Sequence, residues 1–194
     1  RQVQNFKHAL SILSFHEINT PVIHLSNSAA SMRYPQLNQN YIRPGIALYG
    51  CYPDPVNKYP VQLNPVVTLK AQVVHVKPVR QGSGISYGSH YITKEDTNIA
   101  TINIGYALGI NRKLSNNGHV IIHGEKYPIA GNITMDYFMV DLGPQTDVTV
   151  GNDVTIIGKE GNSEITVDNI ALRCNTISYE ILTNLSDKII RKYV

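Results

Sequence analysis

Val67-Thr-Leu-Lys-Ala-Gln-Val-Val-His-Val76 alternates apolar and polar residues, with Val67, Leu69, Ala71 and Val73 in one phase. A period of two sets that phase on one face of a β-strand. At Val73-Val74 two apolar residues meet and the phase passes to Val74 and Val76. One extra residue flips the inward face, so a β-bulge is expected there. Strand candidates continue at 98–104, 119–123, 126–129, 137–142 and 153–157, punctuated by Gly124-Glu125 and Gly151-Asn152. Short strands separated by glycine turns read as an all-β barrel or sandwich. Near the end, Asp168 is the expected N-cap of a short helix over 170–174.

Upstream the character differs. Val3, Phe6, Leu10 and Leu13 recur at helical spacing with no cap before them and no initiating methionine, so the opening reads as a cut end. Thr20-Pro21 ends that helix, 22–25 is a short apolar strand, and Ser26-Asn27-Ser28 leads into a second helix at Ala29. Tyr41-Ile42-Arg43 is a further strand, running through Pro44-Gly45 into Ile46-Ala47-Leu48-Tyr49-Gly50. Helix, strand, helix, strand is the grammar of a parallel α/β domain, which so short a segment cannot complete. Residues 51–65 carry four prolines and no sustained periodicity, as a connector would. The boundary is expected near Val61, giving an α/β segment over 1–60 and a β domain over 61–194.

Composition narrows the function. A net charge of +3 on 194 residues, with scattered Lys and Arg, argues against a nucleic-acid binder. Cys51 and Cys174 form neither a metal-ligand spacing nor a disulfide framework, and no His pairs with another ligand at metal spacing. The cysteine usage favours the cytoplasm. No apolar run approaches the roughly 20 residues of a membrane helix.

Three places carry chemistry. Gly82-Ser-Gly-Ile-Ser-Tyr-Gly88 is a tight, open turn that holds Tyr87 in a fixed direction. A phenol acts as a general base only where a cation or a donor network stabilises the phenolate; otherwise this is a glycine-rich hairpin with a surface tyrosine. Ser28, a hydroxyl after a strand and at a helix start, suits an anion such as phosphate, or it caps its own helix. Arg43-Pro44-Gly45-Ile46 offers a permanent cation and the amides of Gly45 and Ile46 to the same anion, the alternative for Arg43 being a surface ion pair.

Taken in order, His24-Leu-Ser-Asn-Ser-Ala-Ala30, Arg43-Pro-Gly-Ile-Ala-Leu-Tyr-Gly50, Gly84-Ile-Ser-Tyr-Gly88, Ile104-Gly-Tyr-Ala-Leu-Gly109 and Gly131-Asn-Ile-Thr-Met-Asp136 resemble the motifs of bacterial alanine racemases across nearly the whole chain. The resemblance implies a pyridoxal 5'-phosphate enzyme built from a (β/α)8 barrel and a C-terminal β domain, working as a head-to-tail homodimer on alanine. Residues 1–60 would be the last elements of that barrel. By the same carry-over Ser28, the amides of Gly45 and Ile46, and the Tyr179 hydroxyl hold the cofactor phosphate, while Arg43 faces the pyridine nitrogen. Racemisation requires a base on each face of the substrate Cα. Tyr87 matches the base for the L-enantiomer, presented across the dimer; the Schiff-base lysine has no counterpart in this chain. The Met135 amide would meet the substrate carboxylate and Tyr106 would line the entrance.

The chain departs from the family at Leu108, where an acid is usual, which puts in doubt the hydrogen bonds that orient Tyr106 and Arg112. Thr134 stands where many relatives have cysteine, with no evident loss. Other readings are a racemase that prefers serine, a non-catalytic β module used for association, and a decarboxylase of the same fold group. The joint presence of Ser28, Arg43, Tyr87 and Tyr179 argues against the association module. Arg43 argues against the decarboxylase, which would set an acid at the ring nitrogen.

Overall fold

The computed structural model describes residues 1–54 and 58–193. Residues 55–57 of the expected connector, and Val194, lie outside the described residues. The chain divides into two compact units, Arg1–Val66 and Val67–Val194.

In the first unit, helix α1 (Gln2–Phe15) is followed by strand β1 (His24–Asn27), helix α2 (Ser28–Arg33) and strand β2 (Tyr41–Arg43). Val3, Phe6, Leu10 and Leu13 are the half-covered residues of α1 and every other position on it is exposed, as the helical spacing anticipates. β1 starts two residues later than the apolar run, because Pro21 removes a donor and His24 is the first residue paired with β2. The β1–β2 pair is parallel, with His24 opposite Tyr41 and Asn27 opposite Arg43. That register ends both strands together, so Ser28 and the Arg43-Pro44-Gly45 turn emerge at the same end. A 3₁₀ turn, Ile46–Tyr49, follows.

The second unit is built on an antiparallel sheet. Its strands are β3 (Leu69–Val79), β6 (Thr97–Ile102), β7 (His119–Ile122), β8 (Glu125–Ala130), β9 (Phe138–Asp141), β10 (Asp153–Glu160) and β11 (Ser163–Ile165), with a separate two-stranded ribbon of β4 (Gly84–Ile85) and β5 (Tyr91–Ile92). The sheet order is β11-β10-β3-β6-β9-β8-β7, and β10 pairs again with β7 at Thr155–Ile121. Helices α3 (Val167–Arg173) and α4 (Ser178–Thr183) follow the last strand. The whole is a mixed α/β architecture with one large antiparallel sheet, so the expectation of a mainly β chain holds for the sheet and leaves out the helices.

The expected bulge is present. Val73 faces Ile102 and His75 faces Thr101, which leaves Val74 as the extra residue between them. Its side chain is 40% exposed while Val73 is buried, so the apolar phase resumes at Val76 and not at Val74. Asp168 is not the N-cap. Thr166 is, through a capping box in which its hydroxyl accepts the Asn169 N–H and the Asn169 side chain accepts the Thr166 N–H. The Asp168 carboxylate accepts the Ser178 hydroxyl and ties α3 to the start of α4.

Ile99, Ile102, Val120, Ile121, Phe138, Val140 and Val154 are buried strand residues of this sheet. Phe138, with no exposed surface, contributes most per residue, so Phe138→Ala is expected to cost about 3–5 kcal/mol in urea unfolding. Val74→Thr, at the bulge, is expected within about 0.5 kcal/mol of the parent. A loss at Val74 as large as that at Phe138 would contradict the assignment of the bulge.

Candidate functional site

Ser28 does not cap its own helix. The Asn27 side chain does, accepting the Ala30 N–H at 3.0 Å. The Ser28 hydroxyl oxygen instead accepts the Gly45 N–H at 2.8 Å and, at 3.5 Å, the Ala47 N–H. The hydroxyl and the Gly45-Ile46 turn are thereby drawn together. Space around Gly45 is open, since a Cβ built there meets nothing within 4 Å. Ile46 begins the 3₁₀ turn, whose own ladder cannot satisfy its N–H. A hydroxyl, open backbone at Gly45 and the Ile46 N–H are donors that suit an anionic oxygen group, and the Gly45 N–H, bound to Ser28 in this structure, stands beside them.

Arg43 is not in a surface ion pair among the described residues: neither Lys70–Asp153 nor His123–Asp147 includes it. Its guanidinium donates to the Leu25 carbonyl at 3.2 Å and lies 2.6 Å from Nδ1 of His24. A guanidinium only donates, so His24 Nδ1 accepts and the ring proton sits on Nε2. His24 reads from sequence as structural or solvent-exposed. Its role as a prop for Arg43 was hidden because the strand pairing that joins them spans 19 residues.

In the second unit Tyr87 stands 77% exposed on a 3₁₀ turn, Tyr87–Ser89, between β4 and β5. The foot of this ribbon is fixed by Thr93, whose hydroxyl donates to the Arg80 carbonyl at 2.7 Å and accepts the Ser83 N–H at 3.0 Å. Tyr91, opposite Ile85, donates to the Asp141 carboxylate at 2.6 Å. Just before Tyr87, Ser86 has φ 64° and ψ −179°. That conformation is essentially reserved for glycine and costs about 1–3 kcal/mol unless its surroundings impose it. Two polar contacts do so. The Ser86 hydroxyl donates to the Asn132 carbonyl at 2.7 Å, and the Asn132 side chain donates to the Tyr87 carbonyl at 2.8 Å.

Asn132 begins the segment that carries Met135. Gly131 makes the approach possible: a Cβ there would sit 2.6 Å from the Ile85 carbonyl oxygen. Asn116 also bridges the two loops, accepting the Gly131 N–H at 2.6 Å and donating to the His90 carbonyl at 3.0 Å. Tyr106 lies along the same segment, its N–H bound to the Thr134 carbonyl and that of Ala107 to the Met135 carbonyl, both at 3.0 Å. Gly105 permits that contact, since a Cβ would fall 2.3 Å from the Thr134 carbonyl oxygen. Thr134 closes the turn by donating to the Tyr137 carbonyl at 2.8 Å.

Tyr87, Met135 and Tyr106 are thus gathered on one unit by hydrogen-bonded loops. The Met135 N–H has no acceptor among the described residues, and neither the Tyr87 and Tyr106 hydroxyls nor the Arg112 guanidinium has a partner there. Leu108, half-buried beside them, has no group to bind the last two. Tyr179 lies on α4, in the same unit and apart from Ser28 and Gly45 in the chain's division. A cavity of about 350 Å³ in this unit lies elsewhere, bordered by Ile110, Phe138, Ile165 and Ile170, while one of about 270 Å³ is lined by Tyr106 and Arg112.

The family description alanine racemase, C-terminal domain, matches residues 66–193, and alanine racemase, N-terminal domain, matches residues 1–53. The chain belongs to the alanine racemase family. It is 41% identical over 194 residues to the alanine racemase of Halothermothrix orenii, covering 99% of this chain and 51% of that protein. The alanine racemase structure from Streptomyces coelicolor superposes with a TM-score of 0.90 at 35% identity, over 100% of this chain and 51% of that one. Alanine racemase from Bartonella henselae, solved with covalently bound pyridoxal phosphate, gives 0.84 at 34% identity, over 100% and 51%. The chain therefore spans about half the length of the family members it matches. No helix among the described residues is long and apolar enough to cross a membrane.

The Tyr91 phenol is pushed up to about 12, chiefly by burial and then by its hydrogen bond to Asp141 and that carboxylate's charge. An unfolded tyrosine titrates near about 10, so above that pH the unfolded chain sheds a proton that the folded chain keeps. The stabilisation is complete below pH ~10 and lost between about 10 and 12. Tyr91→Phe should flatten this alkaline fall when urea midpoints are followed with pH. An unchanged slope in the variant would rule out Tyr91 as its source.

Proposed function

We propose that this chain is the C-terminal part of an alanine racemase that, when complete, interconverts L- and D-alanine with pyridoxal 5'-phosphate in a head-to-tail homodimer. On this reading residues 1–60 are the last elements of a (β/α)8 barrel, and the β10–β7 pairing closes the sheet of the β domain into a barrel. The enzyme works in the cytoplasm and supplies D-alanine for cell-wall synthesis. The observation that carries the reading is the pairing of an outward-held Tyr87 with an unbound Met135 amide on adjoining loops. Among the described residues no cation or donor touches the Tyr87 hydroxyl. A tyrosine base needs one, and on this reading the partner subunit supplies it.

The residues of the first unit fit the cofactor. The Ser28 hydroxyl and the amides of Gly45 and Ile46 hold the phosphate, with the Tyr179 hydroxyl as a further donor. Arg43, steadied by His24, would direct a guanidinium at the ring nitrogen, a group that donates hydrogen bonds and does not readily give up a proton. Pyridoxal phosphate supplies the electron sink that makes the substrate α-proton acidic. Tyr87 takes or returns that proton on the face used by the L-enantiomer, and the family lysine serves the other face. The Met135 N–H anchors the substrate carboxylate and Tyr106 narrows the entrance, so that the Cα is held between the two bases.

In the complete enzyme, Tyr87→Phe keeps the ring and removes the ionisable oxygen. Exchange of the α-hydrogen of L-alanine with deuterated solvent should fall roughly 10²–10⁴-fold, while that of D-alanine changes far less. Equal losses on both enantiomers in a folded dimer, or none on L-alanine, would refute the role given to Tyr87. The 194-residue chain alone, supplied with pyridoxal phosphate, is expected to give no D-alanine from L-alanine. Measurable turnover by the purified chain would contradict its assignment as one part of a larger catalyst.

A further inference from the structure

We infer that Asn132 is the positioning residue for Tyr87: its side-chain amide and its backbone carbonyl together clamp the two residues that aim the phenol. This rests on the reading of Tyr87 as the L-face base. The phenol projects from a short turn and makes no hydrogen bond among the described residues, so its direction is set by the backbone of Ser86 and Tyr87. Both residues are held by Asn132, one through the Ser86 hydroxyl at 2.7 Å and the other through the Tyr87 carbonyl at 2.8 Å. The contacts run in opposite senses, the side chain donating and the backbone accepting. A rotation of the turn cannot lengthen one without disturbing the other. Ser86 is kept in a conformation it would leave if released, which gives the clamp something to hold.

The same residue precedes Met135 by three positions on a loop whose Thr134 and Met135 carbonyls are bound by Tyr106 and Ala107. Asn132 therefore ties the position of the base to that of the amide proposed to hold the substrate carboxylate. With the donor removed, Met135 is still held by the Thr134–Tyr137 contacts and by the Tyr106 and Ala107 amides, so the turn at Tyr87 relaxes, the phenol swings off the Cα–H axis, and the reaction on the L face suffers selectively. A residue that merely supported the fold would affect both faces alike.

The test is Asn132→Asp in the complete enzyme with pyridoxal phosphate, an isosteric change that turns the donor into an acceptor facing the Tyr87 carbonyl. Solvent deuterium exchange into L- and D-alanine is followed by NMR. L-alanine exchange should fall roughly tenfold or more, as a displaced catalytic group does, with D-alanine exchange within about twofold of the parent. Ser86→Ala, which releases the other half of the clamp, should show the same asymmetry and decides the matter if Asn132→Asp does not fold. Equal losses on both enantiomers, or no loss, overturn the inference. Tyr87→Phe run alongside separates the two levels of failure. If it is L-selective and the clamp variants are not, the inference alone falls; if it is not, the reading of Tyr87 falls and takes the inference with it.

Discussion

The second unit is organised by a close approach of two loops at Gly131. There the backbone passes so near the Ile85 carbonyl that no side chain fits between them. Contact at that distance lets short polar groups, the Ser86 hydroxyl and the Asn132 amide, reach across the gap. Separated by the width of one methyl group, both would miss, and Tyr87 would sit on an unsupported hairpin. The sheet serves this approach: β9 leads out of the Met135 loop and pairs with β6, while Asp141 at its far end fastens Tyr91. The surface tyrosine and the exposed methionine thus share a common frame.

The first unit uses the same device with fewer parts. Parallel pairing of β1 with β2 brings two strand ends level, and Ser28 bridges them by accepting the Gly45 amide. Parallel strands expose their ligand-binding groups at such ends. The Ser28 hydroxyl is thereby held in place, and the space beside Gly45 is open. Arg43 gains direction from His24 and from the β1 carbonyl of Leu25.

Much of this was legible in the sequence, because it depends on local pattern. The alternation through Val73 located β3 and its bulge, and the glycines around Tyr87 marked a presenting turn. The order of motifs singled out Ser28, Arg43 and Met135 as candidates. What escaped depends on residues distant in sequence. Asn132 acts on Tyr87 across 45 positions and Asp141 on Tyr91 across 50, and no local periodicity records such a pairing. Asp168 was misread as a cap because a carboxylate at the start of a helix suits the first turn as well as the N-cap. Thr166, with Asn169 three residues on, was the better signal. The phase beyond the bulge was misjudged for a related reason: a bulge shows that the face changes, and only the partner strand shows where it resumes.

On the proposed reading, Tyr87 is a base whose hydroxyl meets no activating group among the described residues and whose site is completed by a second copy. Subunit mixing tests this. A Tyr87→Phe subunit has an intact cofactor site and a disabled base; an Arg43→Ala subunit has the reverse. In a dimer that shares its sites across the seam, one of the two sites in each heterodimer joins the intact halves. Random reassortment of two inactive parents should therefore restore racemase activity to about a quarter of wild-type sites, the share expected of a two-fold assembly. Heterodimers that form and remain inactive would contradict a base that crosses from one subunit to the other.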